Sequence, residues 1–333
     1  MSMRFEIVKS TKEIPSDWDM LTEFYFQKIE FLRHIEIYNP CNQRYYLCYQ
    51  DNILLAAATV YTIRLNLLTF LKIKSPIKMH IIGVPCSVSS QGIIGDSDGI
   101  IALKSYIFQR EKGFVLALNL QVNTENCNHA SGTTLPTIVM QNRFESWEIY
   151  LSALRSDYRR RLNHITHAET GLQIKTMKCS EFSDEMYKQY LQVFQRSKAK
   201  LEKLSYDFFK YLPESFKLNV CLLNSNVLGW NITICEGDIH YFFLGGIDYH
   251  YNNDNSTYLR LLANIVKEGI ENKAAYIELG QTAEIPKMRM GGERIDLKME
   301  ARHSNLIFNR ILYYGKKLLE YNIDLPRFNV FRR

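Results

Sequence analysis

Five short stretches of this 333-residue chain carry side chains or backbone groups that bind anions or move protons. Asp248-Tyr249 follows the apolar run 239–244. A carboxylate or phenol where a strand ends can relay a proton, and it can equally be a turn residue that fixes the loop after it. Lys287 and Arg289 lie between Gly280-Gln281 and Gly291-Gly292. Cations on an irregular, Gly-flanked loop suit a phosphate or carboxylate ligand, with a solvated surface loop as the plain alternative. Arg155, Arg159, Arg160 and Arg161 form a basic cluster. At about 3.6 residues per turn, Arg155 and Arg159 share a helix face. The cluster could hold phosphates, or be a solvated face with an internal Asp157–Arg161 pair. Ser256 opens a helical stretch and suits an N-cap. The first turn behind it, starting at Thr257, offers N–H groups to a donor phosphate. His303 opens the final helical stretch, either as an acid–base group or as a helix-start residue.

Other chemistries fit less well. His164 and His167 have a helical metal-pair spacing, but no third ligand and no H-E-x-x-H accompany them, so no metal is expected. Cys86 has no assignable His or Asp and reads as a packed thiol. Seven cysteines at 41, 48, 86, 127, 179, 221 and 235, with no C-x-x-C pair, indicate free thiols in a reducing compartment. No Walker loop or Rossmann fingerprint occurs. The chain is 46% hydrophobic and 23% charged with 16 Gly and 8 Pro, which excludes disordered and collagen-like classes. The net charge of +6 is uneven: residues 1–145 carry 14 basic and 13 acidic residues (+1), and residues 146–333 carry 27 and 22 (+5). An anionic ligand therefore belongs more naturally with the second half. The amino terminus lacks a signal-peptide core, and Pro, Gly and Asn interrupt the longest charge-free stretches. A soluble, cytoplasmic protein without a membrane span is expected.

The elements that must hold these residues follow from hydrophobic period. Apolar residues at helical spacing mark 16–38, 98–111, 183–200, 205–212, 256–272 and about 303–321. Trp147, Leu151, Leu154, Tyr158, Leu162 and Ile165 step by 4, 3, 4, 4 and 3, predicting one long helix closed by Gly171. Strand signals cover 45–49, 53–63, 79–84, 114–120, 135–140, 172–178 and 275–279, and 218–244 reads as a three-strand meander turning at Asn224–Asn226 and Glu236–Asp238. The polar stretch 122–134 reads as a loop. The order hairpin, further strand, helix, buried strand occurs twice, at 45–120 and at 218–279. This predicts two tandem mixed α/β units, each a mixed sheet with flanking helices, at residues 1–140 and 141–333.

A meander, a helix leaving its last strand and a further strand is the layout of the GNAT acyltransferase fold. Two such units in tandem resemble the FemAB-like transferases and the related CelD-type acetyltransferase-domain proteins. The residues carrying the resemblance are Phe243-Leu-Gly245-Gly-Ile-Asp248-Tyr249 with the polar loop and Ser256-Thr-Tyr258 after it, Ile277-Glu-Leu-Gly280-Gln281 with Lys287 seven residues beyond that Gly, Ser156-Asp-Tyr-Arg159, and the loop from Gly83-Val-Pro85 to Gly92. The [Arg/Gln]-x-x-Gly-x-[Gly/Ala] loop of ordinary GNAT enzymes is absent, since Arg289-Met-Gly-Gly292-Glu-Arg294 departs at its last position. Ser-Thr-Tyr also stands where relatives tend to show Ser-Pro-Gly.

The resemblance implies acyl or aminoacyl transfer to an amine, with acyl-CoA or aminoacyl-tRNA as co-substrate and no tightly bound cofactor. The acceptor would be a small molecule such as an amino sugar, or a cell-envelope precursor, and tRNA would be a further partner. It places Asp248, Tyr249 and Lys287 in catalysis. Gly280, Gln281, Ser256, Thr257 and Arg289 would bind the donor, and Arg159 and His303 the acceptor. The second unit would be active, and the first structural or acceptor-binding. The alternative from the same residues is a non-catalytic module docking RNA or another anionic partner through its basic second half.

Overall fold

In the first unit, a hairpin is built where the sequence puts Asp51-Asn52 between two apolar runs. Both residues adopt left-handed φ (49° and 65°), as a two-residue hairpin turn requires. The computed structural model describes residues 3–66, 76–86, 88–120, 129–167, 171–197, 200–318 and 320–332. The chain divides into one unit of Met1–Pro136 with Asp296–Ile323, and another of Thr137–Ile295 with Asp324–Arg333.

The first unit begins with β1 (Arg4–Val8), α1 (Ile29–Tyr38), β2 (Arg44–Gln50), β3 (Ile53–Asn66), β4 (Pro76–Ile82), β5 (Ile93–Gly95), α2 (Ser97–Arg110), β6 (Phe114–Leu120) and β7 (Ala130–Thr133). Asp96 caps α2 by accepting from the Gly99 N–H at 2.9 Å. Leu103, Ile107 and Phe108 of α2 are buried against Tyr46, Val60, Ile82 and Val115 of the sheet. β7 falls inside the stretch read as a loop; residues 122–128 of that stretch, with Cys127, lie outside the described residues, as does Ser87.

The second unit follows with β8 (Thr137–Gln141), α3 (Trp147–Ala153), α4 (Ser156–His167), β9 (Leu172–Lys178), α5 (Asp184–Arg196), α6 (Tyr206–Lys210), β10 (Phe216–Leu223), β11 (Asn226–Glu236), β12 (Ile239–Ile247), α7 (Tyr249–Asn255), α8 (Thr257–Glu271), β13 (Tyr276–Gln281), α9 (Glu284–Met288) and β14 (Glu293–Ile295). Its sheet has the order β14-β8-β13-β12-β11-β10-β9. Leu262, Ile265, Val266 and Ile270 of α8 cover one face with Trp147, Tyr150 and Leu162. On Trp230 of β11, the rings of Phe182 and Phe209 pack edge-on at 4.9 and 5.5 Å.

The chain then returns to the first unit as β15 (Lys298–His303) and α10 (Leu306–Gly315). The first sheet runs β1-β2-β3-β4-β6-β15-β7, with β5 on β3. A single cut near residue 140 thus differs from this division. The physical reason is strand pairing: β6 is parallel to β4 and takes antiparallel β15 on its other side, just as β13, parallel to β12, takes antiparallel β8.

Three element expectations are corrected. The single helix over 147–165 is two, because Leu154 is extended (φ −64°, ψ 144°) and bridges to Phe331. The Lys287 loop is the short helix α9. His303 ends a strand, and the last helix starts at Leu306 behind the Asn305 cap.

Candidate active cleft

β12 and β13 run parallel, but pair only at Ile239↔Tyr276, His240↔Ile277 and Tyr241↔Glu278. β12 continues to Ile247 and β13 to Gln281 without further pairing between them. Irregularities on both outer ladders accompany this fork, between Ile232 and Thr233 opposite β12 and between Glu278 and Gly280 in β13. A bulge re-aims the strand that carries it and ends regular pairing. Gly280 has φ 74°, a left-handed conformation that glycine adopts at no steric cost. Backbone groups freed in such a fork can polarise a carbonyl.

Lys287 occupies this place. It is only 2% exposed. Its Nζ donates to the carbonyl oxygens of Gly280 at 3.1 Å and Gln281 at 2.8 Å, and lies 5.5 Å from the Phe242 ring centre. Burial pulls its pKa down to about 7, opposed by the charges of Glu278 and Glu284. A lysine so placed changes charge near neutrality, the property required of an acid–base group. The alternative of a solvated surface loop does not hold for Lys287, because α9 turns this side chain inward.

The start of α8 differs from the expected cap. Ser256 is left-handed (φ 50°, ψ 35°) and makes no side-chain cap bond. An N-cap needs extended backbone to reach the next turn. Asn252 Oδ1 instead accepts from the Tyr258 N–H at 3.0 Å. Thr257 is fully buried and its methyl meets Gly229 of β11, so its side chain faces the sheet. Asp248 caps α7, accepting from the His250 N–H at 2.9 Å, which is the fixing role weighed for it. Tyr249 donates its backbone N–H to Gln192 Oε1 at 3.3 Å, and its ring carries the Arg196 guanidinium at 3.9 Å. Sequence reading missed Tyr258. Its hydroxyl is buried with no hydrogen-bond partner among the described residues. Burial, then the neighbouring Tyr249 and Glu284, push its pKa up. Glu284 therefore stands within electrostatic reach of both Tyr258 and Lys287.

The two basic segments meet at one cavity of about 250 Å³, lined by Leu154, Tyr158, Arg161, Leu162, Ile165, Leu259, Pro286, Arg289 and Met290. Its walls are largely apolar and its cations are Arg161 and Arg289. Arg161 rather than Arg159 lines it. Arg159 is half-buried on α4. Arg289 is exposed, with its guanidinium 5.2 Å from the Phe328 ring centre. The expected Asp157–Arg161 pair is replaced by Arg160–Asp157 at 3.2 Å, an exposed i,i+3 contact. His303 belongs to the first unit, where its Nδ1 accepts from the Asn305 N–H at 3.0 Å and its ring meets Phe114 and Phe308. Local packing accounts for its position. Among the described residues no metal-binding cluster occurs, and six cysteines are free thiols. The side chain of His167 lies outside the described residues.

No family model and no curated protein matches the chain. Solved structures do match. A tandem GNAT protein from the clavulanic acid biosynthesis pathway, described without AcCoA, aligns with TM-score 0.57 at 8% identity over 91% of this chain and 99% of that one. FemX aligns with TM-score 0.52 at 10% identity over 82% and 89%. The chain has a tandem GNAT fold of the FemX kind. In this fold each unit contributes one parallel strand pair, β4–β6 in the first unit and the forked β12–β13 in the second. Among the described residues no helix is long and apolar enough to cross a membrane.

Proposed function

We propose that the chain is an N-acyltransferase moving an acyl or aminoacyl group from an activated donor to an amine, with the β12–β13 fork as its reaction site. The observation that carries this reading is Lys287, buried at the fork with a pKa near 7 and held on two strand-end carbonyls. The amine nitrogen attacks the donor carbonyl carbon, the new C–N bond forms, and the thioester C–S or ester C–O bond breaks. Backbone N–H groups of the fork polarise the carbonyl. Lys287 takes part in the proton transfer from the amine to the leaving group, and the Tyr258 phenol stands within electrostatic reach of Tyr249 and Glu284. Asp248 positions Tyr249 by starting α7. Gly280 and Gln281 shape the donor slot. Arg161 and Arg289 receive the donor's phosphates, Ser256 and Thr257 set the start of α8, and Arg159 meets the acceptor.

The donor is acyl-CoA or aminoacyl-tRNA, and the acceptor an amino sugar or cell-envelope precursor. Thermal shift with acetyl-CoA, CoA and tRNA at two salt concentrations separates the donors. Saturable stabilisation by acetyl-CoA that Arg289→Gln weakens, with transfer lost in Lys287→Ala, supports the enzyme. Stabilisation by tRNA that fades with salt directs the transfer assay to charged tRNA. Binding without transfer to any amine supports the docking alternative, and the absence of all binding removes the proposed site.

A further inference from the structure

An apolar helix face is normally turned to a core, but α10 leaves one in water. Leu312 is its buried anchor at 9% exposure, against Ala301 and Ala130 of the first-unit sheet. On the opposite side Ile307, Ile311 and Tyr314, at i, i+4 and i+7, are 71%, 60% and 78% exposed, and Leu306 beside them is 83% exposed. Leaving that much contiguous apolar surface in water is costly and marks a contact face.

Charge identifies what covers it. Arg310 on α10 and Lys316 and Lys317 directly after it are the charged residues of the segment 304–319, and no acidic residue occurs between Glu300 and Glu320. Arg310 lies between Ile307 and Ile311 on the outward side. The Lys316 ammonium sits 5.3 Å from the Tyr313 ring centre. A second copy pairing through the same face would bring two Arg310 side chains together with no acidic residue on α10 to neutralise them, and like charges there oppose association. An anionic lipid surface meets both demands. Apolar side chains enter the headgroup boundary while arginine and lysine reach the phosphates.

We propose that the outward face of α10 docks this chain onto an anionic lipid surface. At ten residues the helix is about 15 Å long, so it lies in the interface rather than crossing it. The proposal is independent of the reaction at the fork. Co-sedimentation of the full chain with phosphatidylglycerol-rich and with pure phosphatidylcholine vesicles tests it. Binding is expected on the former and to fall with salt. Ile307→Asp with Ile311→Asp should weaken it at least about tenfold. Arg310→Gln, Lys316→Gln and Lys317→Gln together should weaken it about a hundredfold. Ile307, Arg310, Ile311 and Lys317 are exposed and Lys316 is half-buried, and an unchanged thermal melt verifies that the variants stay folded. Equal binding to both vesicles, binding to neither, or binding unaffected by both variants overturns the proposal. A dimer that Ile307→Asp converts to monomer also overturns it and assigns the face to a second copy.

Discussion

At the scale of the residue, Lys287 concentrates the conflict between stability and chemistry. Its folded pKa near 7 lies below the 10.5 of an unperturbed lysine. Between those values the unfolded chain binds the proton that the folded chain has released. Stability therefore rises with pH from about 7 towards 10.5, and the contribution is lost again as pH falls through 7. Thermal melts across this window should show wild type gaining on Lys287→Met as pH increases. A pH-independent difference between the two would mean the ammonium is not desolvated as the geometry requires. The type and rough neighbourhood of this residue were legible, because Gly280 and the Gly291-Gly292 pair bracket it. Its burial was not, since the five residues of α9, with Pro286 among them, are too few to show a helical period.

At the scale of the element, the break between α3 and α4 shows how a strong local pattern is overridden. Leu154 continues the apolar phase and neither Gly nor Pro interrupts the stretch, so the sequence reads as one helix. The interruption comes from the far end of the chain. The Arg155 N–H donates to Val330 O at 2.9 Å, and the Arg332 N–H to Ala153 O at 2.9 Å. These bonds satisfy the exposed ends of two helices with a strand-like segment. Phe331 fills the space beside Gly291, where an added Cβ would come 2.4 Å from its ring, and packs on Tyr150. Phe331→Ala should therefore cost about 1–3 kcal/mol in urea unfolding, less than for a fully buried ring because Phe331 is partly buried. Gly291→Ala should be more damaging in wild type than in the Phe331→Ala background, because removing the ring removes the clash. Equal effects in both backgrounds would leave only the φ of 95° at Gly291 to explain the cost. The hairpins and the meander were readable for the opposite reason. Their partners are neighbours in sequence and their turns carry Asn, Asp and Gly.

At the scale of the whole molecule, the repeat of strand and helix order was visible, whereas the exchange of end segments was not. Period and turn chemistry are local, while the choice of β15 as the neighbour of β6 joins segments far apart in the chain. One buried contact ties that distant segment down. Lys104 of α2 donates to Glu300 of β15 at 2.6 Å, with the two side chains 5% and 1% exposed, and His129 Nδ1 stands 3.7 Å from the other carboxylate oxygen. Both charges have left water, so the pair adds little net stability over an apolar replacement, but removing one member takes away the charge that offsets the other's desolvation. Glu300→Ala should destabilise the first unit by about 3–5 kcal/mol in denaturant unfolding. Lys104→Met combined with Glu300→Leu should recover most of that loss. If the double substitution is as damaging as the single one, packing of β15 rather than the loss of charge compensation sets the cost. A chain ended at Ile295 would lose β15 altogether, exposing the β6 edge and leaving Lys104 without Glu300. It should accordingly aggregate on expression, whereas full-length Glu300→Ala, which keeps the strand, should stay soluble.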